Sequence, residues 1–121
     1  MITIQEILRG NKTYPKEYHE NLMDLYDKIN LIRSRYGKPM IVTAGYRSVE
    51  HELKQGRSGK SDHCKCQAID IYDPDKSLAC WCHENTEFLA SIPVWIEDTS
   101  YTSNWVHFTT KKKSKLFFIP Y

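Results

Sequence analysis

Three potential metal ligands stand far apart in this sequence, and any fold that unites them is tightly constrained. His63 and Asp70 lie in the segment Ser61–Asp70, whereas His107 ends the tripeptide Trp105-Val106-His107. Two imidazole nitrogens and one carboxylate oxygen form a ligand set that zinc accepts, and the open fourth position can hold a reactive water. The sequence therefore predicts a fold in which the first segment converges with the strand that carries His107.

The local sequence around these residues indicates how their side chains are directed. His63 falls in a polar, glycine-flanked loop, and Asp70 falls in the apolar run Ala68–Tyr72, which predicts a strand. Alternate side chains of a strand face the same side, so Asp70 faces away from the two isoleucines of the run. The apolar face can pack on helices while Asp70 faces a cleft. The same parity puts Trp105 on the face of His107.

The remaining periodicity predicts an α+β fold, with two main helices packed on a small, largely antiparallel sheet. Thr3 and Glu6 form a capping box at the start of a short first helix. The apolar spacing from Tyr18 to Tyr36 is helical, and Gly37 ends that long helix. The other predicted elements are a strand at 40–44, a short helix at 49–54, a strand at 68–72, a core helix at 77–90, strands at 94–96 and 105–108 that form a hairpin, and a closing strand at 116–119.

Length and composition are those of a single globular domain over residues 1–121. Hydrophobic residues make up 40% and charged residues 26%, and the net charge of +2 is too small to indicate nucleic-acid binding. No apolar run approaches the roughly 18 residues of a membrane span. The first residues do not have the basic and apolar pattern of a leader, so we expect no secretory signal peptide, and we expect delivery by another agent to any target outside the cell.

Two parts of the sequence leave more than one interpretation open. The lysine-rich segment 111–115 could bind anionic polymers or form a solvated turn that guards a sheet edge. The cysteines could be free thiols, disulfide-bonded pairs, or a second metal site with the neighbouring histidine. They are Cys64, Cys66, Cys80 and Cys82, and the histidine is His83.

Three separated motifs together resemble a known family. They are Ala44-Gly45-Tyr46-Arg47-Ser48, the Ser-x-His-x(6)-Asp pattern that ends at Asp70, and Trp-x-His at 105–107. In this order, over residues 40–110, they are similar to the zinc D-Ala-D-Ala carboxypeptidases and dipeptidases, peptidase family M15, which share the fold of the hedgehog signalling domain. Short single-domain members are often carried by bacteriophages, and the chain is most similar to those.

The resemblance implies that the three predicted ligands bind one zinc ion and that the substrate is a peptidoglycan stem peptide, cleaved at an amide bond. Arg47 would hold the carbonyl oxygen or a substrate carboxylate, and Ser61 would contact the substrate. Tyr46 and Trp105 are further candidates for lining the substrate pocket, although as aromatic residues they could equally belong to the core. A phage-borne member would also meet virion proteins, and it would be found in the host cytoplasm or in the phage particle.

The sequence departs from the family pattern at two positions. Cys66 stands where the family usually has glycine, which affects the shape of the metal-binding loop. Asn104 stands where the family has an acidic general base, and an amide cannot take a proton from water. Glu97 and Asp98 are the candidate replacements. If Asp98 pairs with the residue at 105, Asp98 lies on the face of His107, and a shift of one residue puts Glu97 there instead.

Three functional hypotheses follow. The first is a zinc peptidase. The second is a non-enzymatic module on the same fold, which keeps the zinc for stability and binds wall peptide or a virion partner; the amide at Asn104 favours it. The third is a small zinc module built from cysteine and histidine, in which case replacing Cys80 and Cys82 with serine would empty the site.

Overall fold

A five-stranded mixed sheet forms the frame of the molecule, which a computed structural model describes over residues 1–120. The strands are β1 (Val42–Ala44), β2 (Ala68–Tyr72), β3 (Trp95–Glu97), β4 (Trp105–Thr109) and β5 (Phe117–Phe118). They lie in the order β1-β2-β4-β3-β5, and every neighbouring pair is antiparallel except β3 and β5. Together with the helices, this sheet confirms the predicted α+β fold. The predicted domain runs to Tyr121, which lies outside the described residues.

The first two helices begin and end where the sequence signals predict. α1 (Ile4–Leu8) starts with the capping box, in which the backbone N–H of Glu6 donates to Oγ1 of Thr3 at 3.1 Å. A 3₁₀ turn at Lys16–Tyr18 leads into α2 (His19–Tyr36), which ends at Gly37. The buried side of α2 carries the predicted apolar stripe, including Leu22, Leu25, Ile29 and Ile32.

The helix predicted at 77–90 is instead two helices, α4 (Ser77–Glu84) and α5 (Thr86–Ser91), which follow α3 (Val49–Lys54) in the chain. The interruption is at Asn85, whose φ of −127° and ψ of 37° are not helical. A continuous helix would pair the carbonyl oxygen of Trp81 with the backbone N–H of Asn85. That oxygen instead accepts from the Asn85 side-chain Nδ2 at 2.8 Å. Asparagine side chains compete with the backbone in this way, and the helix therefore ends.

One core joins the sheet to the helices and fixes which side of the sheet is left for a site. Ile69 and Ile71 of β2 and Val106 and Phe108 of β4 are at most 1% exposed. They form one hydrophobic cluster with the buried side of α2. Because side chains alternate along a strand, the intervening residues of β2 and β4 face the other way, as predicted.

The remaining strands are shorter than the sequence predicts or shifted by a residue. β1 begins two residues after the predicted start at 40, β3 is shifted by one residue, and β5 keeps only the centre of the run at 116–119. α3 has the predicted bounds. Within residues 1–120, no helix has the length and apolar character needed to cross a membrane.

Candidate metal centre

His63 is held in the site by contacts at both its backbone and its ring. It lies in a 3₁₀ turn at Asp62–Lys65, and its backbone N–H donates to the hydroxyl of the N-cap residue Ser61 at 3.0 Å. Its Nδ1 lies 2.8 Å from the carbonyl oxygen of Gly45. A carbonyl can only accept, so Nδ1 carries the proton and Nε2 is free to bind a metal. Gly45 itself packs where a Cβ would collide with the carbonyl oxygen of Ile7.

Asp70 and His107 are brought together by direct strand pairing. They are partners in the antiparallel register of β2 and β4, so their side chains lie on the same face. Nδ1 of His107 lies 2.7 Å from Oδ1 of Asp70, and Nε2 of His63 lies 3.5 Å from the same oxygen. The two imidazole rings are 5.1 Å apart between centroids. All three predicted ligands therefore meet at one point.

The spacing and chemistry of these side chains fit a zinc ion. One ligand atom from each lies within 4.8 Å of the others, and tetrahedral zinc with bonds of about 2.0–2.1 Å separates its ligands by about 3.3 Å. Burial raises the pKa of Asp70, but hydrogen bonds with His107 and His63 outweigh it and hold that pKa below its usual range. Asp70 is therefore an ionised ligand at neutral pH. Three protein ligands leave a fourth position open, as in catalytic zinc sites.

Arg47 lies beside the three predicted ligands. Its backbone N–H donates to the carbonyl oxygen of His63 at 3.2 Å, which joins the two loops. Its guanidinium lies 3.8 Å from Oδ2 of Asp70 and 3.8 Å from Oε1 of Glu52. Both distances exceed that of a hydrogen bond. The donors of Arg47 are therefore not consumed by these two ion pairs.

The strand register decides which acidic residue reaches the cleft. Ile96 of β3 pairs with Phe108 of β4, so the following residue, Glu97, lies beside His107. Glu97 and His107 both line a cleft of about 470 Å³. Burial raises the pKa of Glu97, whereas the neighbouring His107 lowers it and Asp70 raises it further. Of the two candidate bases, Glu97 is therefore the one that lies beside His107.

Asp98, the other candidate base, does not line this cleft. Its Oδ1 accepts hydrogen bonds from the backbone N–H and the hydroxyl of Ser100, at 2.9 and 2.7 Å, and so caps a 3₁₀ turn at Thr99–Tyr101. These bonds hold the pKa of Asp98 below its usual range. Asn104 is exposed and also lies away from the cleft lining. The register of β3 is the reason that Glu97, and not Asp98, faces the ligands.

The predicted substrate-binding residues are divided between two regions. Ser61 and Trp105 line the cleft of the metal centre, together with Phe118 and Pro120. Tyr46 does not: it is only 6% exposed and packs in the hydrophobic core, which is the other alternative for this aromatic residue. Burial raises its pKa. Its backbone N–H donates to the carbonyl oxygen of Ile7 in α1 at 2.7 Å, which fixes this part of the loop against the first helix.

Several polar residues of the cleft were missed by the sequence reasoning. Asp62 accepts from the hydroxyl of Thr109 at 2.8 Å and pairs with Lys113 at 2.9 Å. Burial raises the pKa of Asp62, but these contacts lower it overall. Lys113 is thus half-buried against the metal-binding loop, while the other lysines of the segment 111–115 are exposed. The one sequence signal for Asp62 was its position directly before the predicted ligand His63.

The four cysteines are free thiols, and none belongs to the metal centre. Within residues 1–120, the group of His63, Asp70 and His107 is the one close set of three or more potential metal ligands. Burial raises the pKa of Cys66 to about 11, so this thiol is protonated at neutral pH. Cys66 has a φ of 58°, in the left-handed region that favours glycine. The family's usual glycine at this position suits the same backbone conformation.

A His–Asp–His group with a fourth position open has the number and type of ligands found in catalytic zinc sites. The family model described as Peptidase M15 matches residues 2–108. The chain therefore belongs to the M15 peptidase family, whose members are zinc-dependent hydrolases. No curated protein and no solved structure matches the chain.

Proposed function

We propose that this protein is a zinc-dependent peptidase that cleaves an amide bond in peptidoglycan stem peptides. The observation that carries the proposal is the convergence of His63, Asp70 and His107 at one point, with Glu97 and Arg47 in the same cleft. Membership of the M15 family supports the metal and the class of substrate. Carriage by a bacteriophage, with virion proteins as partners, stays a prediction, as does action from the host cytoplasm or the phage particle.

The proposed reaction assigns a separate task to each group of the cleft. Zinc bound by the three ligands would polarise the scissile carbonyl and lower the pKa of a water molecule toward about 7. Glu97 would accept a proton from the attacking water and pass it to the leaving amine. Arg47 would bind the carbonyl oxygen or a substrate carboxylate through its planar array of donors. The three ligands have no spare partner, so each is required.

The walls of the cleft suit a peptide whose surface is partly apolar. Trp105, Phe118 and Pro120 supply apolar area, and Ser61 supplies a hydroxyl at the edge of the metal-binding loop. Arg57 and Lys60 add positive charge on the same lining. Together they would hold the backbone and the carboxylates of a stem peptide near the ligands.

Zinc content and cleavage of muropeptides test the proposal together. Elemental analysis should find about one zinc per chain, and His63→Ala or His107→Ala should lose it. The matched control is His51→Ala, because His51 is exposed and lies outside the metal cleft. Zinc-loaded wild type should release peptide fragments from digested cell wall. The metal assignment would be refuted if purified wild type contained no zinc and if added zinc did not change its thermal stability.

A second candidate function is a non-enzymatic module that keeps zinc for stability and binds wall peptide or a virion partner. The amide at Asn104 favours it, because the usual acid is absent there. Under this alternative, zinc-loaded wild type would cleave no muropeptide between pH 5 and 9, and Asn104→Asp could restore cleavage. Under the peptidase proposal, Asn104→Asp should change little, since residue 104 lies outside the cleft lining.

A further inference from the structure

Glu52 is a buried carboxylate in the wall of the cleft, and the proposed reaction gives it no task. It lies on α3, is 1% exposed, and contributes to the lining of the metal cleft. Its neighbours on the same short helix, Glu50 and Leu53 among them, are exposed. Burying a charge is unfavourable unless cations or hydrogen bonds compensate it. Its partners therefore indicate what the residue does.

Two arginines compensate the charge of Glu52 in different ways. Nη1 of Arg57 donates to Oε2 of Glu52 at 2.7 Å, and the backbone N–H of Arg57 donates to the carbonyl oxygen of Glu52 at 2.9 Å. Nη1 of Arg47 lies 3.8 Å from Oε1 of Glu52. Within residues 1–120, Oε1 has no hydrogen-bond partner. Arg57 thus satisfies one oxygen, and the other oxygen faces Arg47 across a gap.

Arg47 stands between two carboxylates at the same distance. Its guanidinium is 3.8 Å from Glu52 on one side and 3.8 Å from Asp70 on the other. Arginine and carboxylate groups left to themselves close to about 2.7–2.9 Å. If the pull of Glu52 were removed, Asp70 would be the remaining carboxylate for Arg47 in the part of the chain that the structure describes. Arg47 would then move onto Oδ2 of Asp70, while the two histidines approach Oδ1. An arginine bonded to Oδ2 would compete with the metal for the negative charge of this carboxylate.

We propose that Glu52 is a positioning residue, which holds Arg47 off Asp70 and in the cleft. In this arrangement the donors of Arg47 stay available to the substrate, and Asp70 stays available to the metal. The inference deepens the proposed function and rests on it, since Arg47 is the group through which Glu52 acts. Glu52 itself touches neither the substrate nor the reacting atoms.

The test is a double-mutant cycle with Glu52→Gln, Arg47→Met and the double variant. Two quantities are measured: kcat and KM on muropeptides, and zinc affinity by competition with a chelator. Glu52→Gln should lower kcat/KM by about 10²-fold, as expected for a misplaced catalytic group. The loss should appear in the same parameter, kcat or KM, that Arg47→Met changes. It should weaken zinc affinity about tenfold or more. In the Arg47→Met background, Glu52→Gln should have almost no further effect on either quantity.

Three further variants separate this role from a structural one. Glu50→Gln removes an exposed carboxylate from the same helix and should behave as wild type. Glu52→Asp keeps the charge and should recover part of the loss. This variant also decides the question if Glu52→Gln does not fold. A folded Glu52→Asp with reduced activity and zinc affinity would support the inference, and one with wild-type values would overturn it. Arg57→Gln breaks the loop ion pair without touching Arg47. Because Arg57 also lines the cleft, its zinc affinity is the quantity compared: a fall as large as that of Glu52→Gln would mean that Glu52 acts through the loop, and the inference falls.

The outcomes also distinguish this inference from the proposed function. Equal losses from Glu52→Gln in the wild-type and Arg47→Met backgrounds would overturn the positioning role, because the two residues would then act independently. A wild type that is zinc-loaded but inert on muropeptides would refute the proposed function. In that case the cycle in zinc affinity alone decides whether Glu52 keeps Arg47 away from Asp70.

Discussion

The acid of β3 offers the sharpest test of the proposed chemistry. Glu97→Gln keeps the shape of the side chain but removes its ability to accept a proton from water. Since Ile96 pairs with Phe108, Glu97 lies beside His107 in the cleft. A general base contributes about 10²–10⁴-fold to the rate, which corresponds to about 2.7–5.4 kcal/mol of transition-state stabilisation. We expect kcat to fall by that factor while zinc stays bound.

Asp98→Asn is the matched control for this change. It removes one carboxylate from the adjacent residue, but that carboxylate caps the turn at Thr99–Tyr101 and does not line the cleft. Asparagine caps about as well as aspartate because its Oδ1 also accepts hydrogen bonds, so Asp98→Asn should keep the turn, leave the melting temperature almost unchanged and leave kcat unchanged. Initial rates on purified muropeptides, with zinc content measured for each variant, give both quantities.

Two results would refute the assignment of Glu97. One is a Glu97→Gln variant that binds zinc and cleaves muropeptides at the wild-type rate. The other is an equal loss of activity in Asp98→Asn, which would mean that the register of β3 and β4 is not the one described. A loss of zinc in Glu97→Gln would instead assign Glu97 to the metal, and its role as base would need another residue.

Three further predictions concern the frame of the site. Gly45→Ala should lower the free energy of unfolding by about 1–3 kcal/mol, because its Cβ would collide with the carbonyl oxygen of Ile7. It should also weaken zinc binding, because the carbonyl oxygen of Gly45 orients the ring of His63. An unchanged urea midpoint would contradict the predicted loss of stability. Cys66→Gly should be more stable than Cys66→Ala by about 1 kcal/mol, since residue 66 has a left-handed φ; thermal unfolding of the two variants measures the difference, and equal stabilities would count against it. Metal-free protein should lose stability as the pH falls below about 4, because the pKa of Asp70 is lower in the folded state than in the unfolded state. Above the unfolded pKa, the ionised carboxylate contributes its full stabilisation. The stability of Asp70→Asn should therefore depend less on pH than that of wild type, and an equal dependence would argue against the contribution of Asp70.

Much of the fold could be predicted because its signals are local. The capping box at Thr3, the apolar stripe of α2 and the alternation along β2 each depend on residues close in sequence. The break at Asn85 was missed, because apolar spacing continues across it and only the side-chain bond to Trp81 reveals the interruption. The sequence left open whether Tyr46 lies in the core or in the pocket for a related reason: a motif fixes the position of a residue in the chain, but not the direction of its ring.

By itself, the sequence predicted the α+β frame, since spacing and parity are properties of the chain, and its three motifs marked His63, Asp70, His107 and Arg47 as candidates through their resemblance to the family. Only the tertiary structure decided between Glu97 and Asp98, because a shift of one residue between β3 and β4 exchanges the two faces of a strand. It also revealed Glu52, which no motif marks. The importance of that carboxylate lies in burial and in two arginines, Arg47 and Arg57, that flank it only when α3 and the following loop fold against the sheet. Such distances between elements depend on how the elements pack, and no single stretch of the sequence determines that packing.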